Sequence, residues 1–395
     1  MSAVQVAIVG IGESEIGHVP QQSSMALHAA AARAALADAG IGKDDVDAVL
    51  TNESYHDYHV RHAMAFAEYF GIPSAASLVL SMPLGSAAVT GLFLHEAAAL
   101  IQSGRCEVVL AVSADNFLSA LGRKGAVAAL AANREKEFEA PYGPLLPACF
   151  ALVARRYMYE TGTTIEQLSE VSVTMRAHAS RNTRAQMREP ITVADVLASP
   201  MIADPLRRLH CALVSDGGAA VVVMSMDRAR ELRADPIAIL GTGNVHGDGT
   251  GRLYSSLAQT RDLTRSGTGT SMQAALAQAG LQHSDVDVAG VYDPFAVMPL
   301  LLLESAGFFA RGQAGKAAAD GELRVGGRLP INPHGGLLSY CHPGNPGGFF
   351  MVTELVRQLR HAADNQVADA GVAALIGYGG EFAIWPSTIL ARVDR

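Results

Sequence analysis

Ala34-Ala35-Leu36-Ala37-Asp38-Ala39-Gly40-Ile41, followed by Asp45-Val46-Asp47, returns later in the chain as Ala274-Ala275-Leu276-Ala277-Gln278-Ala279-Gly280-Leu281, followed by Asp285-Val286-Asp287, at a constant offset of 240 residues. Upstream of each copy, Ala7-Ile8-Val9-Gly10-Ile11-Gly12 is echoed by Ala238-Ile239-Leu240-Gly241-Thr242-Gly243. Each copy reads as a buried strand ending in a glycine turn, an alanine-rich helix stopped by glycine, and a second strand. Repetition at this density in one strand–helix–strand context makes the chain two copies of one α/β unit.

Working outward, Ala87 to Ser103 reads as a helix ended by Gly104, and Glu107 to Val112 as a buried strand. Residues 115–145 mix charges, Gly and Pro without clear periodicity, which suits an insertion over a site. Ala148 to Gly162 and Thr164 to Arg181 read as helices, and Leu213 to Met224 turns tightly into a strand of continuous apolar residues. The charged stretch Asp227 to Asp235 marks the boundary between halves, giving 1–230 and 231–395. Leu375 to Gly380 is a strand entering a further glycine turn, and Thr388 to Val393 is a last strand. Parallel apolar strands joined by helices imply sheets covered on both faces, in layers α/β/α/β/α.

The densest glycine loop runs from Asn332 to Gly348, with His342-Pro343-Gly344 at its centre. Backbone bent this tightly presents side chains at fixed angles. Apolar residues at helical spacing follow, from Phe349 to Leu359, so the loop feeds a helix N-terminus, whose unpaired N–H groups suit an oxyanion, a thioester carbonyl or a phosphate. His342 is placed to exchange a proton beside that site.

With 395 residues, 49% hydrophobic and 17% charged, the chain builds a large core and is not disordered. A net charge of −8 without a basic run argues against nucleic acid or an anionic membrane as partner. No run of eighteen apolar residues and no signal sequence is evident, which predicts a cytoplasmic protein. Cys106, Cys149, Cys211 and Cys341 are widely spaced, so neither a disulfide framework nor a zinc cluster is expected. His56, His59 and His62 fall at i, i+3 and i+6, a spacing that would align them on one helical face, yet no further ligand completes a metal set. Gly10-Ile11-Gly12 lacks the third glycine and acidic residue of a dinucleotide site.

Ser215-Asp216-Gly217-Gly218-Ala219-Ala220, Val291-Tyr292-Asp293-Pro294-Phe295, the loop with His342-Pro343, and Gly377-Tyr378-Gly379-Gly380, together with the duplication, resemble the thiolase superfamily. The resemblance spans nearly the whole chain and points to the branch of the sterol carrier protein X thiolase domain, including the thiolase-like steroid side-chain aldolases. It implies the thiolase fold, two duplicated βαβαβαββ-type halves in five layers αβαβα, assembled as a dimer or tetramer, of which a homodimer is expected here. It also implies carbon–carbon chemistry beside an acyl-CoA thioester, with coenzyme A as part of the substrate and no permanently bound cofactor or metal. Relatives of this branch often work with a small OB-fold protein carrying a zinc ribbon, and the resemblance implies such a partner here.

The chain departs from the thiolase pattern at three places. The helix start that carries the family's nucleophilic cysteine reads Leu84-Gly85-Ser86-Ala87-Ala88, and Ser86 reads as a helix cap. The acid/base cysteine before the final glycine turn is also missing, and Cys341 reads as a small buried residue rather than its substitute. Tyr292 stands where many thiolases have His or Asn, and Tyr-Asp-x-Phe resembles the aldolases. A phenol can donate to a developing oxyanion or exchange a proton with an alcohol. The leading expectation is therefore retro-aldol cleavage of a 3-hydroxyacyl-CoA, with Tyr292 and His342 exchanging protons and N–H groups around Gly379, Gly380 and Ser86 holding the thioester oxygen. The alternatives are a thiolase acting on a 3-ketoacyl-CoA and a non-catalytic acyl-CoA-binding scaffold. Arg123, Lys124 and Arg134 are the candidates for binding coenzyme A. Asp216 and Asp293 are expected to orient loops through N–H bonds.

Overall fold

In a computed structural model, which describes residues 5–57, 59–73, 78–82, 87–131, 136–137, 139–143, 145–232, 235–247, 262–380 and 382–393, the first strand does not stop at its glycines. Strand β1 (Val6–Glu13) runs through Gly10 and Gly12, and helix α1 (Ser24–Ala39) lies directly on them. A Cβ on Gly10 would sit 2.2 Å from the Ala35 carbonyl oxygen, and one on Gly12 would sit 2.3 Å from that of Ala31. The glycines are there for close approach, which corrects their reading as a turn.

The chain continues through β2 (Ala48–Thr51), α2 (His62–Phe70), β3 (Leu78–Ser81), α3 (Ala87–Gln102), β4 (Val108–Asp115) and α4 (Phe117–Ala131). It then forms α5 (Leu146–Thr161), α6 (Ile165–Ser180), α7 (Val193–Ala198), the hairpin β5 (Met201–Ala203) and β6 (Leu206–Arg207), β7 (Gly217–Ser225) and α8 (Met226–Leu232). The second half comprises β8 (Ile237–His246), α9 (Thr268–Ala279), β9 (Val288–Val291), α10 (Val297–Ser305), α11 (Ala314–Ala319), α12 (Gly336–Ser339), α13 (Gly347–Leu359), β10 (Val372–Ile376) and β11 (Ile384–Arg392). Within 115–145, where no period is visible, α4 forms with a kink at Gly122, whose φ is 63°. His56 and His59 precede α2, which starts only at His62, so the three imidazoles do not share a helical face.

The duplication is visible contact by contact. On β8 and α9, a Cβ on Gly241 would meet the Ala275 carbonyl oxygen at 2.0 Å, and one on Gly243 that of Ser271 at 1.9 Å. These are the same glycine-on-helix crossings as in the first half. Both helices end at a left-handed glycine, Gly40 with φ 72° and Gly280 with φ 69°, whose N–H turns back onto Ala37 and Ala277 respectively. Asp47 then accepts from the N–H groups of Glu107 and Val108, as Asp287 does from those of Gly371 and Val372.

Among the described residues nine strands form one mixed sheet in the order β3-β2-β4-β7-β1-β8-β11-β10-β9. Strand β2 pairs parallel with β3 and β4, and β9 parallel with β10, while the remaining pairs are antiparallel, which corrects the expectation of parallel strands throughout. The two halves join where Val6 to Ile8 of β1 pair with Ile237 to Ile239 of β8. Helix α1 covers the outer face of the first half and α9 that of the second, while α3 and α13 pack on each other and on strands of both halves. The result is five layers, α/β/α/β/α, the thiolase fold. Helix α13 is buried along almost its whole length, and the loop before it emerges at the seam between the halves.

Candidate active site

His342 lies between α12 and α13, and β7's entry segment clamps its backbone. The His342 N–H donates to Ser215 Oγ at 3.1 Å, and its carbonyl accepts from the Ser215 N–H at 3.1 Å. The next residue, Asp216, accepts from the N–H groups of Val19 at 2.7 Å and Ser119 at 2.8 Å and from the Ser119 hydroxyl, tying the segment after β1 and the first turn of α4 to the same strand end. Ring nitrogen Nδ1 of His342 lies 3.2 Å from the Leu213 carbonyl oxygen, which can only accept, so Nδ1 carries the proton. That leaves a lone pair on Nε2, and the Tyr292 hydroxyl, 3.2 Å away, donates to it. Burial lowers the His342 pKa to about 4 against the opposing pull of the Leu213 carbonyl, so the ring is neutral at pH 7.

Tyr292 follows β9, and Asn332 fixes where it points. Held at φ 46°, Asn332 turns its side-chain amide onto Val291, accepting from its N–H at 2.8 Å and donating to its carbonyl at 2.7 Å. The amide thus acts as one rung of a strand beside the residue that precedes Tyr292. Asp293, fully buried, accepts from the N–H groups of Leu337 at 2.8 Å and Leu338 at 3.4 Å, and its contact with Gly336 leaves no room for a Cβ there. Burial holds the Asp293 carboxyl well above the usual range, with those N–H bonds opposing. Gly347, the first residue of α13, faces the pair: a Cβ there would lie 3.0 Å from His342 Cδ2 and 3.5 Å from Tyr292 Cε2.

Tyr292 and His342 open onto a cavity of about 980 Å³. Tyr378, Gly379 and Gly380 share its wall, and Leu118, Leu146, Phe150 and Phe295 give it an apolar interior. The two glycines differ. The Gly379 N–H donates to the Ile384 carbonyl at 2.9 Å, closing a bridge to β11, and is therefore not aimed at a ligand. The Gly380 N–H has no backbone acceptor among the described residues. Ser86 and Arg134 lie outside the described residues. Arg123 is on the cavity wall and exposed, whereas Lys124 is exposed but not on that wall.

Arg176 and Arg208 also line the cavity. Sequence reasoning missed both, because no motif surrounds them and tertiary packing alone brings them to the site. The cysteine on the wall is Cys211, whose thiol burial pushes up to about 12. Cys341 is fully buried with its sulfur 3.8 Å from the Asp216 carbonyl, and burial holds its thiol well above the usual range. Neither is a ready thiolate. His56, instead of joining His62, lies 3.2 Å from Asp115, whose hydrogen bond raises its pKa against burial.

A duplicated five-layer α/β body with a histidine loop at its seam defines a thiolase-like protein. Sequence comparison agrees: the family described as "Thiolase C-terminal domain-like" matches residues 249–392. An acetyl-CoA acetyltransferase of Methanothermobacter thermautotrophicus is 32% identical over 95% of this chain and 96% of its own. A 17-hydroxy-3-oxo-4-pregnene-20-carboxyl-CoA lyase of Mycobacterium tuberculosis is 35% identical over 93% of this chain and 95% of its own. Among solved structures, one described as an "Ltp2-ChsH2(DUF35) aldolase" superposes with a TM-score of 0.85 at 33% identity, covering 98% of this chain and 97% of that one. The chain belongs to the thiolase superfamily, in the branch that holds the sterol carrier protein thiolases and the steroid side-chain aldolases.

Proposed function

We propose that the protein is an acyl-CoA lyase that cleaves a 3-hydroxyacyl-CoA by retro-aldol chemistry, without an acyl-enzyme. The observation that carries this reading is the Tyr292–His342 pair, a phenol donating to a neutral imidazole on the wall of a large apolar cavity. As the substrate's β-hydroxyl gives its proton to the Tyr292 oxygen, the Tyr292 proton passes to His342 Nε2. The C–O bond gains double-bond character, the Cα–Cβ bond breaks, and its electron pair enters the enolate of the departing thioester. An N–H such as that of Gly380 opposes the charge growing on the thioester oxygen. The products are an aldehyde or ketone and a shorter acyl-CoA. The lyase and aldolase relatives support this direction.

In this reading Arg123 at the cavity mouth, assisted by Lys124 and Arg134 nearby in sequence, meets the coenzyme's phosphates. The protein acts as a cytoplasmic homodimer of two-part subunits, 1–230 and 231–395, beside an OB-fold zinc-ribbon partner. Support for the partner comes from the family resemblance and from the two-component description of the solved relative. No helix among the described residues is long and apolar enough to cross a membrane.

The acetyltransferase relative favours a second reading, thiolysis of a 3-ketoacyl-CoA. Incubation with a 3-ketoacyl-CoA plus free coenzyme A, and separately with a 3-hydroxyacyl-CoA alone, distinguishes them. Release of a carbonyl compound from the 3-hydroxyacyl-CoA without coenzyme A is the expected result. Coenzyme A-dependent cleavage with an acyl group trapped on a cysteine would establish the thiolase reading instead. Absence of either reaction would leave an acyl-CoA-binding scaffold.

A further inference from the structure

Tyr378 stands on the same cavity wall, and the reaction as written gives it nothing to do. Its ring meets that of Tyr292 edge to face, with centroids 5.3 Å apart at 78°. It also packs against Phe150, Phe382 and Trp385 with centroids 5.9 to 6.0 Å away. The backbone is pinned on both sides, the Gly377 N–H to the Pro386 carbonyl at 3.1 Å and the Gly379 N–H to Ile384. A phenol held this firmly, only 4% exposed, normally gives its hydroxyl a partner. Among the described residues the Tyr378 hydroxyl has none, and it belongs to a residue that lines the cavity beside the uncommitted Gly380 N–H.

Retro-aldol cleavage moves protons at two places. The proton leaving the β-hydroxyl is received by Tyr292 and His342, which are hydrogen-bonded to each other. A proton must also arrive at the α-carbon, and neither Tyr292 nor His342, both engaged at the β-hydroxyl, is free to supply it at that moment. We propose that Tyr378 is a third catalytic residue, the acid whose hydroxyl protonates the α-carbon of the enolate after the Cα–Cβ bond has broken. This rests on the retro-aldol reading. The enolate's electron pair forms the new Cα–H bond and the O–H pair stays on the phenolate. The phenolate then recovers a proton through water admitted on product release, so one proton leaves the hydroxyl and one reaches carbon in each turnover. Burial among four aromatic rings keeps the Tyr378 phenol well above its usual pKa, so it remains a loaded donor between turnovers.

The test cleaves a 2-methyl-3-hydroxyacyl-CoA in D₂O, because the deuterium placed on the α-carbon of the released propionyl-CoA reports the protonation step itself. The wild-type protein and Tyr378→Phe are compared for kcat and for the configuration of the deuterated carbon. The wild type is expected to give one configuration. Tyr378→Phe, which retains the ring and its packing, is expected to lower kcat by about 10²-fold or more and to release product of mixed configuration. If Tyr378→Phe cleaves at the wild-type rate and gives the wild-type configuration, this assignment falls and the retro-aldol reading stands. If the wild type does not cleave, both fall.

Discussion

His342 keeps a usable lone pair because its other nitrogen is engaged by the Leu213 carbonyl, and this fixes both its direction and its charge. Removing only the hydroxyl in Tyr292→Phe, or the ring in His342→Ala, is expected to lower kcat for 3-hydroxyacyl-CoA cleavage by about 10²- to 10⁴-fold, the usual range for a positioned acid or base. A Tyr292→Phe protein with wild-type kcat per folded molecule would reduce both residues to packing. The pH profile gives an independent check. Protonated His342 cannot accept the Tyr292 proton, and burial sets that protonation at about 4, so the acid limb of kcat/KM belongs near pH 4. A limb at pH 6.5, the value of an exposed imidazole, would show a solvated ring. Tyr292 and His342, which the fold brings within 3.2 Å of each other, could be singled out in the sequence because each sits in a motif of its own. Gly379 was misread as an oxyanion donor since its N–H closes a bridge to Ile384 that no local spacing announces.

At the scale of elements, the site depends on how strands and helices are held apart or pulled together. Asn332 is the rung beside β9, and Asn332→Ala would leave the buried Val291 N–H and carbonyl without their side-chain partners. Each such orphan costs about 1–3 kcal/mol, so thermal unfolding should show a loss of at least that size together with reduced turnover as Tyr292 loses its anchor. Gly347→Ala sets a Cβ against His342 and should lower kcat more than it lowers stability. A variant with normal kcat would mean the ring can shift without consequence. Helices such as α1 and α6 were readable because their ends are local chemistry: Ser23 caps α1, Gly40 closes it, and Thr164 with Gln167 forms the capping box of α6. Strand β1 was cut short in the sequence reading because Gly10 and Gly12 look like a turn until α1 is known to cross them. The same blindness to tertiary contact hid Arg176, Arg208 and the cavity they line.

The whole molecule carries an acid sensitivity that follows from its buried imidazoles. Burial lowers the pKa of His28 and His334 to about 3, and that of His62, His178, His210 and His342 to about 4, against about 6.5 in the unfolded chain. Between pH 6.5 and 4 the unfolded state therefore binds more protons than the folded one, and stability falls as pH falls. Each group contributes at most about 1.4 kcal/mol per pH unit in that window. Asp293 and Glu354, raised by burial, act in the opposite sense above pH 4, but two carboxyls oppose six imidazoles. Glu13 extends the loss further down. Burial alone would raise its pKa, but Arg357 and Arg184 hold it at about 2, so its contribution disappears below pH 4.5. Urea unfolding at pH 7, 6 and 5 should show a steep decline, and a flat stability over that range would contradict the neutral buried histidines. The sharper measurement is His62→Leu. Both ring nitrogens of His62 are buried without hydrogen-bond partners among the described residues, so an apolar side chain loses no such bond there and removes one titrating group. The variant should hold or gain stability at pH 5 relative to wild type while matching it more closely at pH 7. A variant destabilised equally at both values would mean that His62 contributes packing alone.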